Sequence, residues 1–218
     1  MSLVRQEETT LSHDRIVAEK TRLSYESFAQ EYALSIPRQV TGGMKEWLDR
    51  FVAGVPLTGA IFEVGSGTGR DATYLESMGY RVQRSEIAAP FLRSFQEQGI
   101  GALRFDVLTD DFPGRQQAVF ANSVFCHMTN RQLRTALENV HEALDHGGRL
   151  GFNTKAAPVP WNSMVQNERL PGERYFSRWP PGKLRAEVER AGFTVLWCSE
   201  RPAILRPTPW VNLVVRKR

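Results

Sequence analysis

Three alternating glycines follow an apolar run in the first third of the chain. The segment Ile61–Arg70 reads IFEVGSGTGR, in which Gly65, Gly67 and Gly69 alternate with small polar residues such as Ser66. Glycines at this spacing allow positive φ angles and let a ligand approach the backbone closely. A dinucleotide fingerprint has the spacing G-x-G-x-x-G and aims a helix N-terminus at a pyrophosphate. The alternating spacing instead favours a cofactor that lies flat across the turn and has no phosphate to be held.

Two acidic residues follow the turn where the next two strands are predicted to end. Glu86 comes 17 residues after Gly69, and Asp106 lies in the sequence RFDVL, directly before Val107. Ligands of open α/β sheets bind beyond the carboxyl ends of the strands. Either acid alone is more often a solvated side chain or a loop cap. Together they predict a nucleoside site in which Glu86 accepts both ribose hydroxyls, Asp106 accepts the adenine amine and Val107 packs on the ring.

From about residue 58 the chain alternates short apolar runs with segments of helical period, which predicts successive βα units and a parallel sheet. The predicted strands are Ala60–Val64, Tyr80–Ser85, Ala102–Phe105, Gln117–Ala121 and Arg149–Asn153, followed by an antiparallel closing pair, Phe193–Trp197 and Trp210–Val215. The predicted helices are Arg70–Met78, Pro90–Gln98, a helix that is capped by Asn130 and stopped by Gly147 and Gly148, and Pro181–Ala191. Residues 156–179 are rich in Pro, Trp and Arg, and we expect an inserted irregular loop there.

Two helical segments, about residues 13–34 and 38–53, precede the first strand. They carry Tyr25 and Tyr32 at helical spacing. We therefore expect residues 1–55 to form an N-terminal helical extension and residues 56–218 to form one α/β domain.

The motifs in this order resemble those of class I S-adenosylmethionine-dependent methyltransferases of the small-molecule type. The segment EVGSGTGRDATYLESMGYRVQRSEIA is similar to motif I and the following acidic strand, and the likeness continues from FDVL through AVFANSVFCHMTNRQLRTALENVHEALDHGGRLGF to ERYFSRWPPGKLRAEVERAGFTV. It covers about residues 20–200. The resemblance implies a Rossmann-like, mostly parallel sheet of seven strands in the order 3-2-1-4-5-7-6, with strand 7 antiparallel and helices on both faces. It also implies S-adenosylmethionine as cofactor and S-adenosylhomocysteine as product.

The resemblance also implies where the cofactor would lie. Glu63 and the glycine turn would underlie the methionine part, and the segment YESFAQEY would close over the cofactor as a lid. The residues expected to bind the cofactor are Tyr25, Tyr32, Glu63, Gly65, Ser66, Gly67, Gly69, Asp71, Glu86, Ile87, Asp106, Val107, Asn122 and Ser123. The second strand departs from the family pattern V-x-G-x-D, since it reads VQRSE, with Glu86 in place of Asp and Arg84 inside the strand.

Methyl transfer from a sulfonium is an in-line displacement that depends on alignment and on the exclusion of water. A general base is needed only if the acceptor must lose a proton. The candidate base is His127 in ANSVFCHMT, beyond the fourth strand, because histidine titrates near neutral pH. The alternative is a packing or helix-capping histidine beside Asn130.

The inserted segment 156–179 is the candidate acceptor side. Its aromatic residues and arginines suit a planar or carboxylated acceptor. The alternative is that the aromatic residues only pack the segment onto the domain. The residues singled out are Trp161, Arg169, Arg174, Tyr175, Arg178 and Trp179.

Composition and spacing disfavour several partners. Lys+Arg 28 against Asp+Glu 24 gives a net charge of +4, but the basic residues are scattered, whereas nucleic-acid binders gather them in a patch. The sequence ANSVF after the fourth strand also lacks the (Asp/Asn)-Pro-Pro-(Tyr/Phe) tetrad of base methyltransferases. No apolar run has the roughly 18 residues of a membrane span, and Cys126 and Cys198 have no metal-ligand spacing.

We therefore expect a cytoplasmic enzyme without a metal that methylates an O or N of a small metabolite or natural-product intermediate. The alternatives are a nucleic-acid or peptide methyltransferase and a protein that binds the cofactor without catalysis.

Overall fold

The computed structural model describes residues 3–167, 170–201 and 209–218, so that Arg169 lies outside the described residues. The helices are α1 (Leu3–Ser27), α2 (Ala29–Ser35), α3 (Gly42–Val52), α4 (Arg70–Ser77), α5 (Ala89–Glu97), α6 (Asn130–Ala143) and α7 (Pro181–Arg190), with a short 3-10 turn at Phe125–His127. The strands are β1 (Ala60–Glu63), β2 (Arg81–Glu86), β3 (Ala102–Arg104), β4 (Gln116–Ala121), β5 (Leu144–Ala156), β6 (Trp161–Asn167), β7 (Leu170–Trp179), β8 (Phe193–Arg201) and β9 (Trp210–Lys217).

Seven of these strands form the predicted sheet. Its order is β3-β2-β1-β4-β5-β9-β8, in which the first five strands are parallel and β9 is antiparallel to both of its neighbours. Because β9 is the last strand and lies between β5 and β8, this is the expected order 3-2-1-4-5-7-6. The fold class predicted from the sequence is confirmed.

The prediction of an irregular loop at residues 156–179 is wrong. β6 and β7 form an antiparallel hairpin, and β7 joins β5 in parallel at Lys155↔Arg178 and Ala156↔Trp179. Since β9 occupies the other edge of β5 up to Lys155, the hairpin lies on the β4 side, beyond the last β4–β5 pair, Ala121↔Phe152. It therefore extends over the carboxyl ends of the strands. Period-2 alternation is hidden in the sequence because both faces of β7 are buried, including Arg174 and Ser177.

Three other expectations need correction. The first N-terminal helical segment is broken at Phe28 into α1 and α2, so that three helices precede β1. β5 starts at Leu144, so that Gly147 and Gly148 lie inside a strand rather than after a helix. The N-cap of α6 is Thr129 and not Asn130.

The helices pack on both faces of the sheet. On one face α3 places Trp47 and Phe51 against Phe120 of β4, with ring centroids 4.8 and 5.1 Å apart. The Trp47 indole N–H donates to the Leu213 carbonyl of β9 at 3.0 Å. On the other face α6 and α7 bury their apolar stripes against β4 and β5, and Leu133 and Leu184 are fully buried there. The strand ends that carry the glycine turn are therefore fixed from both sides.

A capping box starts α6. The Thr129 hydroxyl accepts the Gln132 N–H at 3.3 Å, and the Gln132 side chain accepts the Thr129 N–H at 2.9 Å. We expect Thr129→Ala to lower the free energy of unfolding by about 1 kcal/mol, because an N–H at the helix start loses its partner. Asn130→Ala is the control and should change it by less than about 0.5 kcal/mol. Urea unfolding measures both variants, and a larger loss for Asn130→Ala would restore the cap predicted from the sequence.

Candidate functional site

The glycine turn between β1 and α4 has the positive φ angles that its sequence predicts. Gly65, Gly67 and Gly69 have φ angles of +70°, +53° and +76°. A Cβ on Gly65 would lie 2.6 Å from Val124 Cγ2, and one on Gly69 would lie 2.8 Å from Phe95 Cε1. Side chains are therefore excluded at these positions both by backbone conformation and by their neighbours.

Glu86 at the end of β2 joins this turn to the next one. Its Oε2 accepts the Gly67 N–H at 2.8 Å, while Oε1 accepts the N–H groups of Ile87 at 2.8 Å and Ala88 at 3.0 Å. Burial raises the pKa of the Glu86 carboxyl, and the three backbone hydrogen bonds act against that shift. Because a carboxylate offers about four lone pairs and three are used, Oε2 retains about one for a ligand.

The departure from the family pattern in β2 has a structural explanation. Arg84 is 6% exposed and directs its guanidinium to α4, where both terminal nitrogens donate to the Glu76 carboxylate at 2.6 Å. The Arg84 side chain therefore binds the neighbouring helix α4. Glu86 is then the acidic residue at the end of β2.

One cavity lies over these strand ends and is covered by the N-terminal helices. Tyr32 stands over the turn, with its ring 3.6 Å from the position that a Cβ of Gly67 would take. The lining residues are Ala18, Thr21, Arg22, Tyr25, Tyr32, Val64, Gly65, Gly67, Glu86, Ile87, Ala88, Phe91, Phe105, Asp106, Val107, Leu108, Asn122, Ser123, Val124, His127, Met128 and Gln132. The cavity thus unites the turn with both acidic strand ends.

Asp106 caps the loop after β3, which is one of the two roles weighed for it. Its carboxylate accepts the Leu108 N–H at 3.0 Å. Asp106 and Val107 also line the cavity. Phe105 and Val107 are buried and give this part of the cavity an apolar wall.

A buried acidic pair lies under the other end of the turn. Glu63 is 2% exposed, and among the described residues its Oε2 has no hydrogen-bond partner. Burial and, to a smaller extent, the nearby Asp71 carboxylate together raise the pKa of Glu63 to about 8, while Ser66 acts against the shift. Asp71 accepts from Asn122 Nδ2 at 2.6 Å and from Arg70 Nε at 2.7 Å. Arg70, which had no predicted role, therefore pairs with Asp71.

An asparagine of β5 shapes the loop that follows β4. Asn153 Oδ1 accepts the Ser123 N–H at 2.6 Å, and its Nδ2 donates to Asn122 Oδ1 at 2.9 Å. Ser123 has a φ of +60°, the one positive φ of a non-glycine residue in the described part of the chain. Sequence reasoning missed Asn153, because its contact with the loop spans 30 residues and has no local signal.

His127 binds two groups that lie far from it in the sequence. Its Nε2 lies 2.9 Å from the Tyr25 hydroxyl of α1, and its Nδ1 lies 2.6 Å from the Tyr175 carbonyl of β7. Burial, helped by the charges of Arg174 and Lys155, lowers the pKa of His127 to about 3, although the Tyr175 hydrogen bond acts in the opposite direction. The imidazole is therefore neutral at pH 7 and a weak base.

The predicted acceptor-side residues lie in different places. Arg174 contacts Tyr25, with its guanidinium carbon 5.4 Å from the ring centroid. Tyr175 donates its N–H to Thr21 Oγ1 at 2.9 Å, which docks α1 on the hairpin. Trp161 and Arg178 stack on each other at 4.0 Å, and Trp179 packs in the core. None of these five residues is among the lining residues of the cavity, as far as the described residues define it, whereas His127 is.

The comparisons with known proteins place this arrangement in a family. A family model described as a methyltransferase domain matches residues 36–197. The chain belongs to this methyltransferase family. The enzyme class and the cofactor predicted from the sequence, a class I methyltransferase that depends on S-adenosylmethionine, are confirmed at the level of the family.

Several solved methyltransferase structures share the fold at low sequence identity. One is the 1,6-didemethyltoxoflavin-N1-methyltransferase of Burkholderia thailandensis with bound 1,6-didemethyltoxoflavin and S-adenosylhomocysteine, at 19% identity and a TM-score of 0.65, covering 100% of this chain and 91% of that one. Another is the DhpI complex with S-adenosylhomocysteine, at 20% identity and a TM-score of 0.68, covering 92% and 97%. The glycopeptide N-methyltransferase MtfA with S-adenosylhomocysteine has 15% identity and a TM-score of 0.65, covering 85% and 95%. No curated protein matches the sequence.

Several residues that line the cavity of this methyltransferase were missed in the sequence, although three of them had a usable signal. Ala18, Thr21 and Arg22 precede Tyr25 at helical spacing, so that the cavity-facing stripe of α1 follows once Tyr25 is placed in the site. Within the described residues, no helix has both the length and the apolarity needed to cross a membrane, and no three metal-ligating side chains are grouped.

The raised pKa of Glu63 predicts how stability depends on pH. Because its folded value of about 8 exceeds the ordinary 4.5, the folded state binds the proton more tightly, and the free energy of unfolding falls as pH rises between these values. We expect Glu63→Gln to be more stable than the wild type by about 3–5 kcal/mol at pH 9, and by much less at pH 5. Urea unfolding across this pH range measures the difference. The control is Glu97→Gln at an exposed position of α5, and a difference for Glu63→Gln that does not change with pH would contradict the assignment.

Proposed function

We propose that the protein transfers a methyl group from S-adenosylmethionine to an O or N atom of a small metabolite or natural-product intermediate. The observation that carries this proposal is the single cavity that the glycine turn, Glu86, Asp106 and α1 line together. A ligand there would contact a nucleoside-binding edge on one side and the N-terminal helices on the other.

The residues present fit the cofactor. The Glu63 oxygen without a partner and the neighbouring Asp71 carboxylate form a buried acidic corner beside Asn122. An α-ammonium of the methionine part would be stabilised there by Asp71 and would favour the ionised form of Glu63. Glu86 retains a lone pair on Oε2 for a ribose hydroxyl, and Asp106 lies at the apolar end, where the adenine would pack. The other residues proposed to bind the cofactor are Tyr25, Tyr32, Gly65, Ser66, Gly67, Gly69, Ile87, Val107 and Ser123.

When bound, the cofactor supplies an electrophilic methyl group on a sulfonium. The task of the chain is then to hold the acceptor in line and to exclude water. α1 is suited to the second task, because Asp14 pairs with Arg131 at 2.7 Å and Glu26 accepts the Ala89 N–H at 3.3 Å, which fixes it to α6 and α5. These two contacts hold the cavity-lining part of α1, from Ala18 to Tyr25, over the cavity.

Three observations support a small acceptor. The cover formed by α1 favours a compact ligand over a nucleic-acid strand. The basic residues are scattered along the chain, which supports the same choice. Among the solved neighbours, the toxoflavin precursor enzyme and the glycopeptide N-methyltransferase act on acceptors that are not nucleic acids. We also propose a cytoplasmic location, which is supported by the lack of a disulfide at Cys126 and Cys198 within the described residues.

On the acceptor side we narrow the proposal to Tyr25, His127 and Arg174, with Tyr175 contributing its backbone. Tyr25 and His127 line the cavity, and Arg174 lies directly behind Tyr25. Trp161, Arg178 and Trp179 keep a packing role, because they contact each other or the core. The general-base role weighed for His127 is not carried forward, because its Nε2 is already bound and its pKa is low.

Replacement of Glu86 tests the cofactor half of the proposal. We expect Glu86→Ala to weaken S-adenosylmethionine binding by about 1–3 kcal/mol, because hydrogen bonds to a charged acceptor are lost. Isothermal titration calorimetry measures the affinity. Glu86→Gln retains one carbonyl oxygen, so its affinity should lie between those of the wild type and Glu86→Ala. Glu97→Ala in α5 is the matched surface control. An unchanged affinity of a folded Glu86→Ala protein would contradict the ribose assignment.

A further inference from the structure

Three groups at the edge of the cavity form one chain of hydrogen bonds, and a fourth, Arg174, lies beside it. The Tyr25 hydroxyl lies 2.9 Å from His127 Nε2, and the Arg174 guanidinium carbon lies 5.4 Å from the centroid of the Tyr25 ring. His127 Nδ1 lies 2.6 Å from the Tyr175 carbonyl. Tyr25 belongs to α1, His127 to the loop after β4, and Arg174 and Tyr175 to β7. The chain therefore joins the cover of the cavity to its floor and to the hairpin.

The direction of this chain is fixed by its carbonyl end. A carbonyl oxygen only accepts, so that Nδ1 of His127 carries the hydrogen and Nε2 of the neutral ring presents its lone pair. The Tyr25 hydroxyl therefore donates its hydrogen to Nε2. The Tyr25 oxygen then has a lone pair but no hydrogen to offer on the side of the cavity.

The surroundings keep His127 neutral. The charged or titratable groups that face it are Tyr25 from α1, Lys155 from β5 and Arg174 from β7. Lys155 lies 3.5 Å from the centroid of Phe176, whose ring packs 4.5 Å from the His127 ring. Two cations near a half-buried imidazole disfavour a third positive charge. Burial also raises the pKa of the Tyr25 hydroxyl well above its usual range, which keeps it protonated.

We propose that the free lone pair of Tyr25 selects the acceptor, and that the atom methylated is an uncharged amino nitrogen whose N–H is donated to the Tyr25 oxygen. This inference rests on the proposed methyl transfer in the same cavity and narrows its O or N acceptor to N. Tyr25 is then a specificity-determining residue, and His127 positions it by accepting its hydrogen.

Anionic oxygens, neutral alcohols and uncharged amines differ in whether they can donate a hydrogen to Tyr25 and still attack the methyl group. A carboxylate or phenolate has no hydrogen to donate to Tyr25, and the Tyr25 hydrogen is held by His127. A neutral alcohol can donate, but it must also lose its proton, and neither neutral His127 nor protonated Tyr25 is a strong base. An uncharged amine donates an N–H while its own lone pair remains available for attack.

The bond changes balance without a protein base. The nitrogen lone pair forms the N–C bond, and the electron pair of the S–C bond stays on sulfur as S-adenosylhomocysteine forms. The product is a methylammonium, which releases its extra proton to water. Arg174 and Lys155 favour the uncharged form of the incoming amine, because like charges nearby lower the pKa of an ammonium group.

The hydrogen-bond direction is tested by nitrogen NMR of ¹⁵N-histidine-labelled protein saturated with S-adenosylhomocysteine. We expect His127 to show a protonated Nδ1 and an unprotonated Nε2 from pH 6 to pH 8, and the Nε2 shift to change in Tyr25→Phe. A protonated Nε2 at neutral pH would overturn the proposal. Calorimetry of S-adenosylhomocysteine binding to the wild type and to Tyr25→Phe tests the proposed function separately, because the tautomer of His127 does not depend on that affinity.

The choice of acceptor is tested with aniline, N,N-dimethylaniline and benzoate as probes on the same complex, because aniline alone of the three has a hydrogen to donate at neutral pH; binding is followed through the His127 ring resonances. We expect aniline to bind at least tenfold more tightly than the other two, and Tyr25→Phe to remove that preference while its melting temperature stays near that of the wild type. Tyr74→Phe is the control, because the Tyr74 hydroxyl donates to Asp49 away from the cavity. Equal binding of the three probes, no binding of any, or an unchanged preference in Tyr25→Phe would overturn the selection by Tyr25.

Discussion

One buried carboxylate sets the geometry of the cofactor side of the site, on which the proposed function depends. Glu86 accepts three backbone N–H groups, one from the glycine turn and two from the turn that leads into α5. It therefore fixes the distance between two loops that follow different strands. If the carboxylate were absent, three N–H groups would lose a charged partner, and each loop could relax independently. Both turns line the cavity, so that one side chain holds this part of its wall together.

The other half of the site depends on contacts between distant parts of the chain. The hairpin β6–β7 continues the sheet beyond β4, and α1 docks on it through the bond of Thr21 to the Tyr175 N–H and the packing of Phe28 against Gly172. Tyr25 and His127 meet only because of this docking. Sequence neighbours thus build the cofactor edge, whereas the fold as a whole builds the acceptor side.

This division explains what could be predicted from the sequence. The glycine turn, Glu86 and Asp106 were predictable because each belongs to a local strand-to-helix step with its own residue signature. The hairpin was not predictable, because both faces of β7 are buried and the period-2 alternation is lost. Thr129 was missed as the cap of α6, since Asn130 beside it has an equally good capping side chain and only the Gln132 contact decides. The Asn153 bond to Ser123 and the polar chain through Tyr25 have no signal in the sequence.

A crystal structure of the protein with S-adenosylhomocysteine would test the central claim most directly. We expect the adenosine inside the cavity under α1, with the ribose facing the Glu86 carboxylate, a ribose hydroxyl within hydrogen-bonding distance of Oε2, and the adenine beside Asp106 and Val107. A complex in which the ribose faces away from Glu86, or in which the ligand lies outside this cavity, would contradict it.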